Sequence, residues 1–110
     1  MANIIVSGAG SSEVNGTYVD TGQLSGKKPI YANNANSDIV IGWDSGEKKW
    51  LIKNLSTQVI YYYSSNNVAT PDLCTTWEVA DGEPPVPTVT KEVTGIPKHF
   101  LYYARMRGNQ

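Results

Sequence analysis

The chain is poor in the residues on which most chemistry depends. Its 110 residues include one cysteine, Cys74, and one histidine, His99. A lone cysteine excludes an internal disulfide and fits a reducing or redox-indifferent setting. A lone histidine leaves a catalytic triad or a zinc site without enough partners. Charged residues make up 17% of the chain and the net charge is −1, so no overall field draws it to nucleic acid or to acidic lipid. No apolar run approaches the roughly 20 residues of a membrane-spanning helix. The start, Met1 to Gly8, carries no positive charge and a three-residue apolar run, Ile4-Ile5-Val6, so no signal peptide is expected. The sequons at Asn15 and Asn54 are then read as accidental.

Aromatic residues and turn formers are plentiful. Tyr18, Tyr31, Trp43, Trp50, Tyr61, Tyr62, Tyr63 and Trp77 recur through the first eighty residues, each in a short apolar run closed by Gly, Asn, Asp or Ser. Strands are expected over 3–7, 16–20, 28–32, 38–43, 48–53, 58–63 and 75–80, about one every ten residues. Ile39, Ile41 and Trp43 share one face at period two, and Trp50 and Ile52 oppose Lys49, Leu51 and Lys53, the alternation of a half-buried antiparallel strand. Thr21 to Gly26 reads as a turn, and Thr70-Pro71-Asp72-Leu73 as a single capped helical turn. The expected fold is all-β: a small antiparallel β-sandwich or an open barrel or meander of about seven strands.

Asp81-Gly82-Glu83-Pro84-Pro85-Val86-Pro87 marks a boundary, because three prolines in four residues stiffen a chain toward polyproline II. The expected division is a β-domain over 1–82, a Pro-rich linker over 83–97 and a C-terminal docking segment over 98–110. Charge changes there too: net −3 over residues 1–82 and +2 over 83–110. Phe100, Leu101, Tyr102 and Tyr103 with Arg105 and Arg107 form an apolar stretch with basic flanks, suited to docking on a partner.

Other motifs are better explained by turns. Gly8-Ala9-Gly10 lacks the third glycine of a dinucleotide fingerprint, Glu13 standing in its place. Asn34, Asn36 and Asp38 alternate like calcium ligands, but Ile39 and Ser45 stand where an EF-hand needs Gly and Glu. Asp44 and Glu47 flank a tight turn beside two lysines and read as solvated. No catalytic residue, metal site or cofactor is expected. The tyrosines carry the binding question. If Tyr61 and Tyr63 face the core, strand alternation turns Tyr62 outward as a surface anchor, with Tyr31 and Tyr18 as further exposed candidates.

In order, Val14-Asn15-Gly16-Thr17-Tyr18, Lys28-Pro29-Ile30-Tyr31, Ile41-Gly42-Trp43, Trp50-Leu51-Ile52, Tyr61-Tyr62-Tyr63-Ser64 and Ala69-Thr70-Pro71 with Thr76-Trp77-Glu78 resemble a small β-domain of short proteins of tailed bacteriophages. The likeness spans about residues 4–80. It implies a non-enzymatic structural or accessory module on a virion surface (decoration, fibre or tail-associated), made in the host cytoplasm and bound to protein partners, itself included. The alternative expectation is a carbohydrate-binding or adhesin module that stacks sugars on Tyr62, Tyr31 and Tyr18. Neither reading involves nucleic acid or a membrane.

Overall fold

A computed structural model describes residues 3–92. Over these residues the fold is all-β, with eight antiparallel strands in one curled sheet that forms a half-barrel. The strands are β1 (Ile4–Ser7), β2 (Gly16–Ser25), β3 (Lys28–Asn33), β4 (Ile39–Asp44), β5 (Lys49–Asn54), β6 (Ile60–Ser64), β7 (Glu78–Val79) and β8 (Thr88–Lys91). Single 3-10 turns cover Ser12–Val14 and Pro71–Leu73. Of the expected architectures, the open meander is realised: the sheet order is β7-β6-β5-β4-β3-β2-β1-β8.

That order demands curvature. β7 and β8 lie at opposite edges, yet they are nine residues apart in the chain. Nine extended residues reach about 30 Å, whereas the edges of a flat eight-stranded sheet stand about 34 Å apart. The sheet therefore bends until residues 80–87 span its open side. Its concave face holds the core: Ile4 and Val6 of β1, Tyr18, Tyr31, Ile39, Ile41, Trp43, Trp50, Ile52, Tyr62 and Val89. Fully burying each such aliphatic side chain favours the fold by about 1.5–3 kcal/mol. Across one row Tyr31 pairs Ile41, Ile41 pairs Ile52 and Ile52 pairs Tyr62. In the next, Trp43 pairs Trp50 edge to face, with centroids 5.9 Å apart, the geometry that aromatic quadrupoles favour.

Two expectations are corrected. Thr21 to Gly26 does not close β2, which runs on to Ser25 through a bulge in which Thr21, Gly22 and Gln23 oppose Ile30. Gly22 adopts φ +81 there, a conformation open to a residue without Cβ, and the true turn is Gly26-Lys27. Residues 83–91 are not a linker. The Gly10 N–H donates to the Pro85 carbonyl (3.0 Å), the Glu83 N–H donates to Ser11 Oγ (2.8 Å), and β8 pairs β1 from Ser7↔Thr88 to Ile4↔Lys91. The prolines lack a donor but keep their acceptors, and so a stiff segment serves to cross the barrel. Gly10 is required at that crossing, since a Cβ there would lie 2.1 Å from the Pro84 carbonyl oxygen.

Candidate functional site

A concavity opens on the concave face. It encloses about 370 Å³ and is lined by Ile4, Asp20, Gly22, Leu24, Pro29, Tyr31, Thr70, Asp72 and Lys91. Each wall has a local cause. The bulge in β2 lets the Asp20 carboxylate accept from the Gly22 N–H (2.8 Å), while the Thr21 hydroxyl donates to the Ile30 carbonyl (2.9 Å). Asp20 thereby stays paired with Tyr31 on the concave side, and Leu24, paired with Pro29, extends the wall beyond it. Bulges are recurrent devices for re-aiming side chains beside functional sites. The opposite wall is the Pro71–Leu73 turn, which carries Asp72 and is preceded by Thr70.

That turn is held in place by the segment before it. Lys28 Nζ donates to Asn67 Oδ1 (2.7 Å) and to the Val68 carbonyl (2.6 Å), and lies 4.2 Å from the centroid of the Trp43 ring. Trp50 Nε1 donates to the same carbonyl at 3.2 Å. Asn66 Oδ1 accepts from the N–H groups of Thr75 and Thr76. The loop thus closes on itself against the sheet.

Tyr31 lies at the centre of the mouth. The residue is 3% exposed, and burial, then Asp20, then Asp72 push its hydroxyl above the usual phenol range. Tyr18, deeper in the core, is pushed up to about 12 by burial, eased by the neighbouring Asn33 amide. Its hydroxyl donates to the Val14 carbonyl (2.6 Å).

The expected surface tyrosines are therefore corrected: Tyr62, Tyr31 and Tyr18 are all buried, and none offers an open ring face to a sugar. The error at Tyr62 has a physical source. β6 carries a bulge against β5, where Ile52 pairs Tyr62 but Lys53 pairs Ile60. Tyr61 is the extra residue, strict alternation fails, and Tyr61 and Tyr62 are both buried. Tyr62 accepts from the Ser11 N–H (2.9 Å) and donates to the Glu83 carbonyl (2.5 Å). Tyr63, paired with Leu51, takes the convex side, where Lys49 Nζ covers its ring at 4.5 Å.

The polar turns are as expected. Asn33 Oδ1 accepts from Ala35 and Asn36 N–H groups, Asn36 Oδ1 from Asp38, and Asp44 Oδ1 from Gly46 and Glu47. Among the described residues no three His, Cys, Asp or Glu stand together as metal ligands. Cys74 is half-buried against the core rather than within it, and burial pushes its thiol up. Phe100, Leu101, Tyr102, Tyr103, Arg105 and Arg107 lie outside the described residues.

Asp20, Leu24, Asp72 and Lys91 were not singled out by sequence. Asp20 and Asp72 stand in separate turn-like stretches, and the curl of the sheet brings them together. The signal that pointed there was the Thr-Pro-Asp turn, which marks a fixed carboxylate at a helical start. No family model, curated protein or solved structure matches this chain.

Proposed function

We propose that this chain is a non-enzymatic binding module whose half-barrel takes a small ligand, or a side chain of a partner, into the mouth of its concave face. One observation carries the reading: a preformed, mostly apolar cavity is lined by Tyr31 and by polar side chains from separate elements, Asp20, Asp72 and Lys91. Mouths of β-barrels are frequent ligand sites, and a few convergent polar groups in an apolar hollow are their usual chemistry. The ordered motifs similar to the phage domain support a place in an assembly, as a virion surface component. Phe100, Leu101, Tyr102 and Tyr103, with Arg105 and Arg107, would supply the docking contacts to a protein partner or a second copy.

The test is a panel of small fragments, monosaccharides included, screened by ligand-observed NMR against the full chain and against Leu24→Trp. Leu24 is 66% exposed on the wall, so an indole there fills the mouth with little demand on the core. Hits that vanish in L24W support the reading. A panel without hits at millimolar concentration refutes it, and hits confined to sugars move it to the glycan alternative.

A further inference from the structure

We propose that the convex face of the sheet joins two copies of this chain in a weak, two-fold symmetric dimer. The inference concerns the face opposite the mouth and does not rest on ligand binding there.

The middle strands are apolar on both sides. Ile39, Ile41 and Trp43 of β4 and Trp50 and Ile52 of β5 belong to the core, which turns Val40, Gly42 and Leu51 to the convex side. Antiparallel strands with one solvated face alternate, whereas continuous apolar runs mark strands covered on both faces. Val40 and Leu51 are 5% and 6% exposed, so the convex face has an apolar floor. Ile30 and Gly42 border a depression of about 150 Å³ on one side of Leu51, and Ile60 and Tyr63 border one of about 270 Å³ on the other. The described residues form one sheet and two single 3-10 turns, which supply no second layer for this face.

The register makes this face complementary to itself. β4 and β5 set Asp44 opposite Lys49, Gly42 opposite Leu51 and Val40 opposite Lys53. A two-fold axis parallel to the strands, lying between β4 and β5, lays β4 of one copy over β5 of the other without sliding it lengthwise. Each of these pairs then recurs between the copies, twice. Asp44 meets Lys49, Leu51 lies over the gap at Gly42, and the stem of Lys53 covers Val40. Beside them Ile30 meets Tyr63 and Ala32 meets Ile60, because Ile30 adjoins Gly42, Tyr63 pairs Leu51, Ala32 pairs Val40 and Ile60 pairs Lys53. The turn after β4 uses Asp44 Oδ1 to accept from the Gly46 and Glu47 N–H groups, which leaves Oδ2 for the ammonium of the other copy. Such a contact is isologous, each patch meeting its own image. Two convex faces touch along a strip, which confines the contact to β3–β6 and places it among small, transient interfaces.

The experiment follows the full chain from about 10 μM to about 1 mM, the range in which small interfaces associate, by sedimentation equilibrium and backbone-amide NMR. The mass should rise from monomer toward dimer, with concentration-dependent shifts at Val40, Gly42, Leu51 and Tyr63 and none at Leu24 of the mouth. Gly42→Gln should weaken association about tenfold or more. A Cβ at Gly42 stands 3.9 Å from Ile30 Cγ1, an ordinary contact, so this variant fills the gap without disturbing the monomer. Lys49→Glu and Asp44→Lys put like charges into both contacts, and each should lower the association constant about tenfold. An equimolar mixture of these two should regain the dimer as a mixed pair, because every contact then joins opposite charges again. A loss of stability in either variant does not produce that rescue. A full chain that stays monomeric overturns the proposal, and so does a mixture of folded variants that fails to pair. Association that Gly42→Gln and the charge variants leave unchanged runs through another surface and overturns it too. If Phe100→Ser and Leu101→Ser shift the amides of Val40 and Leu51 at an unchanged monomeric mass, residues 93–110 of the same chain cover the face, and the second copy is overturned. None of these outcomes bears on ligand binding at the mouth.

Discussion

The hydroxyl of Tyr62 donates to the carbonyl of Glu83 at 2.5 Å, joining the middle of β6 to the segment that crosses the open side of the barrel. The same oxygen accepts from the Ser11 N–H, and Ser11 Oγ accepts from the Glu83 N–H. Three parts of the chain are thus tied at one buried point. Tyr62→Phe keeps the ring and strands a buried donor and acceptor. The expected loss is about 1–3 kcal/mol, read as a lower urea midpoint with an unchanged slope. A Tyr62→Phe protein of wild-type stability would mean that the tie is dispensable.

Lys28 is the second tie. Its ammonium serves the Asn67 side chain, the Val68 carbonyl and the face of Trp43. Lys28→Met retains the stem and removes all three. The hydrogen bonds and the cation–π contact together put the loss at about 1–3 kcal/mol. Because Trp43 and Trp50 flank the site, a change in intrinsic tryptophan fluorescence in the folded state should accompany it. The Pro71–Leu73 turn depends on this tether, so the variant should also loosen the turn, measured as faster amide exchange at Leu73 and Cys74, whose N–H groups donate to the Thr70 and Pro71 carbonyls.

Stability should fall at high pH, and Tyr18 gives the sign. Its folded ionisation lies at about 12 against an ordinary value of 10.0. A raised value means that the neutral phenol is favoured by the fold. The contribution is complete below pH 10 and is lost between about pH 10 and 12, where the unfolded chain has released a proton that the folded chain still holds. The slope for one such group is about 1.4 kcal/mol per pH unit. Tyr31 shifts in the same direction and adds to the fall. Urea midpoints from pH 9 to pH 12 measure the slope, and Tyr18→Phe should reduce it. A flat profile would show that neither phenol resists ionisation.

Much of this architecture was legible because antiparallel strands with one buried face announce themselves. Ile39, Ile41 and Trp43 alternate, and so do Trp50 and Ile52, and all five are core residues. What escaped were departures from period two. The bulge at Tyr61 reverses the expected direction of Tyr62, and the bulge over Thr21–Gln23 hides the second half of β2 behind residues that elsewhere make turns. Both depend on pairing with a neighbouring strand, which a single strand's pattern does not encode. The mouth was hidden for the same reason. Tyr31 was visible as an aromatic, but its carboxylate neighbours Asp20 and Asp72 meet it through the topology.

The boundary at the prolines gives the last prediction. A composition shift suggested that the domain stops at Gly82, whereas β8 continues the sheet on the far side of β1. In β8 Val89 is buried opposite Val6, and in β1 Ile4 is buried beside it. Residues 1–92 keep every described strand and should remain folded, with a cooperative urea transition. Residues 1–87 lose β8 and uncover Val6 and the edge of β1. Losing one buried valine and a four-residue ladder costs several kcal/mol by area and hydrogen bonding, a large share of the 5–15 kcal/mol that holds a domain of this size. That truncation should be unfolded or self-associating, since a bare apolar strand edge pairs with other chains. Light-scattering mass and circular dichroism of the two truncations decide it. A monomeric, cooperatively folded 1–87 would place β8 outside the folding unit and restore the proline stretch as a spacer.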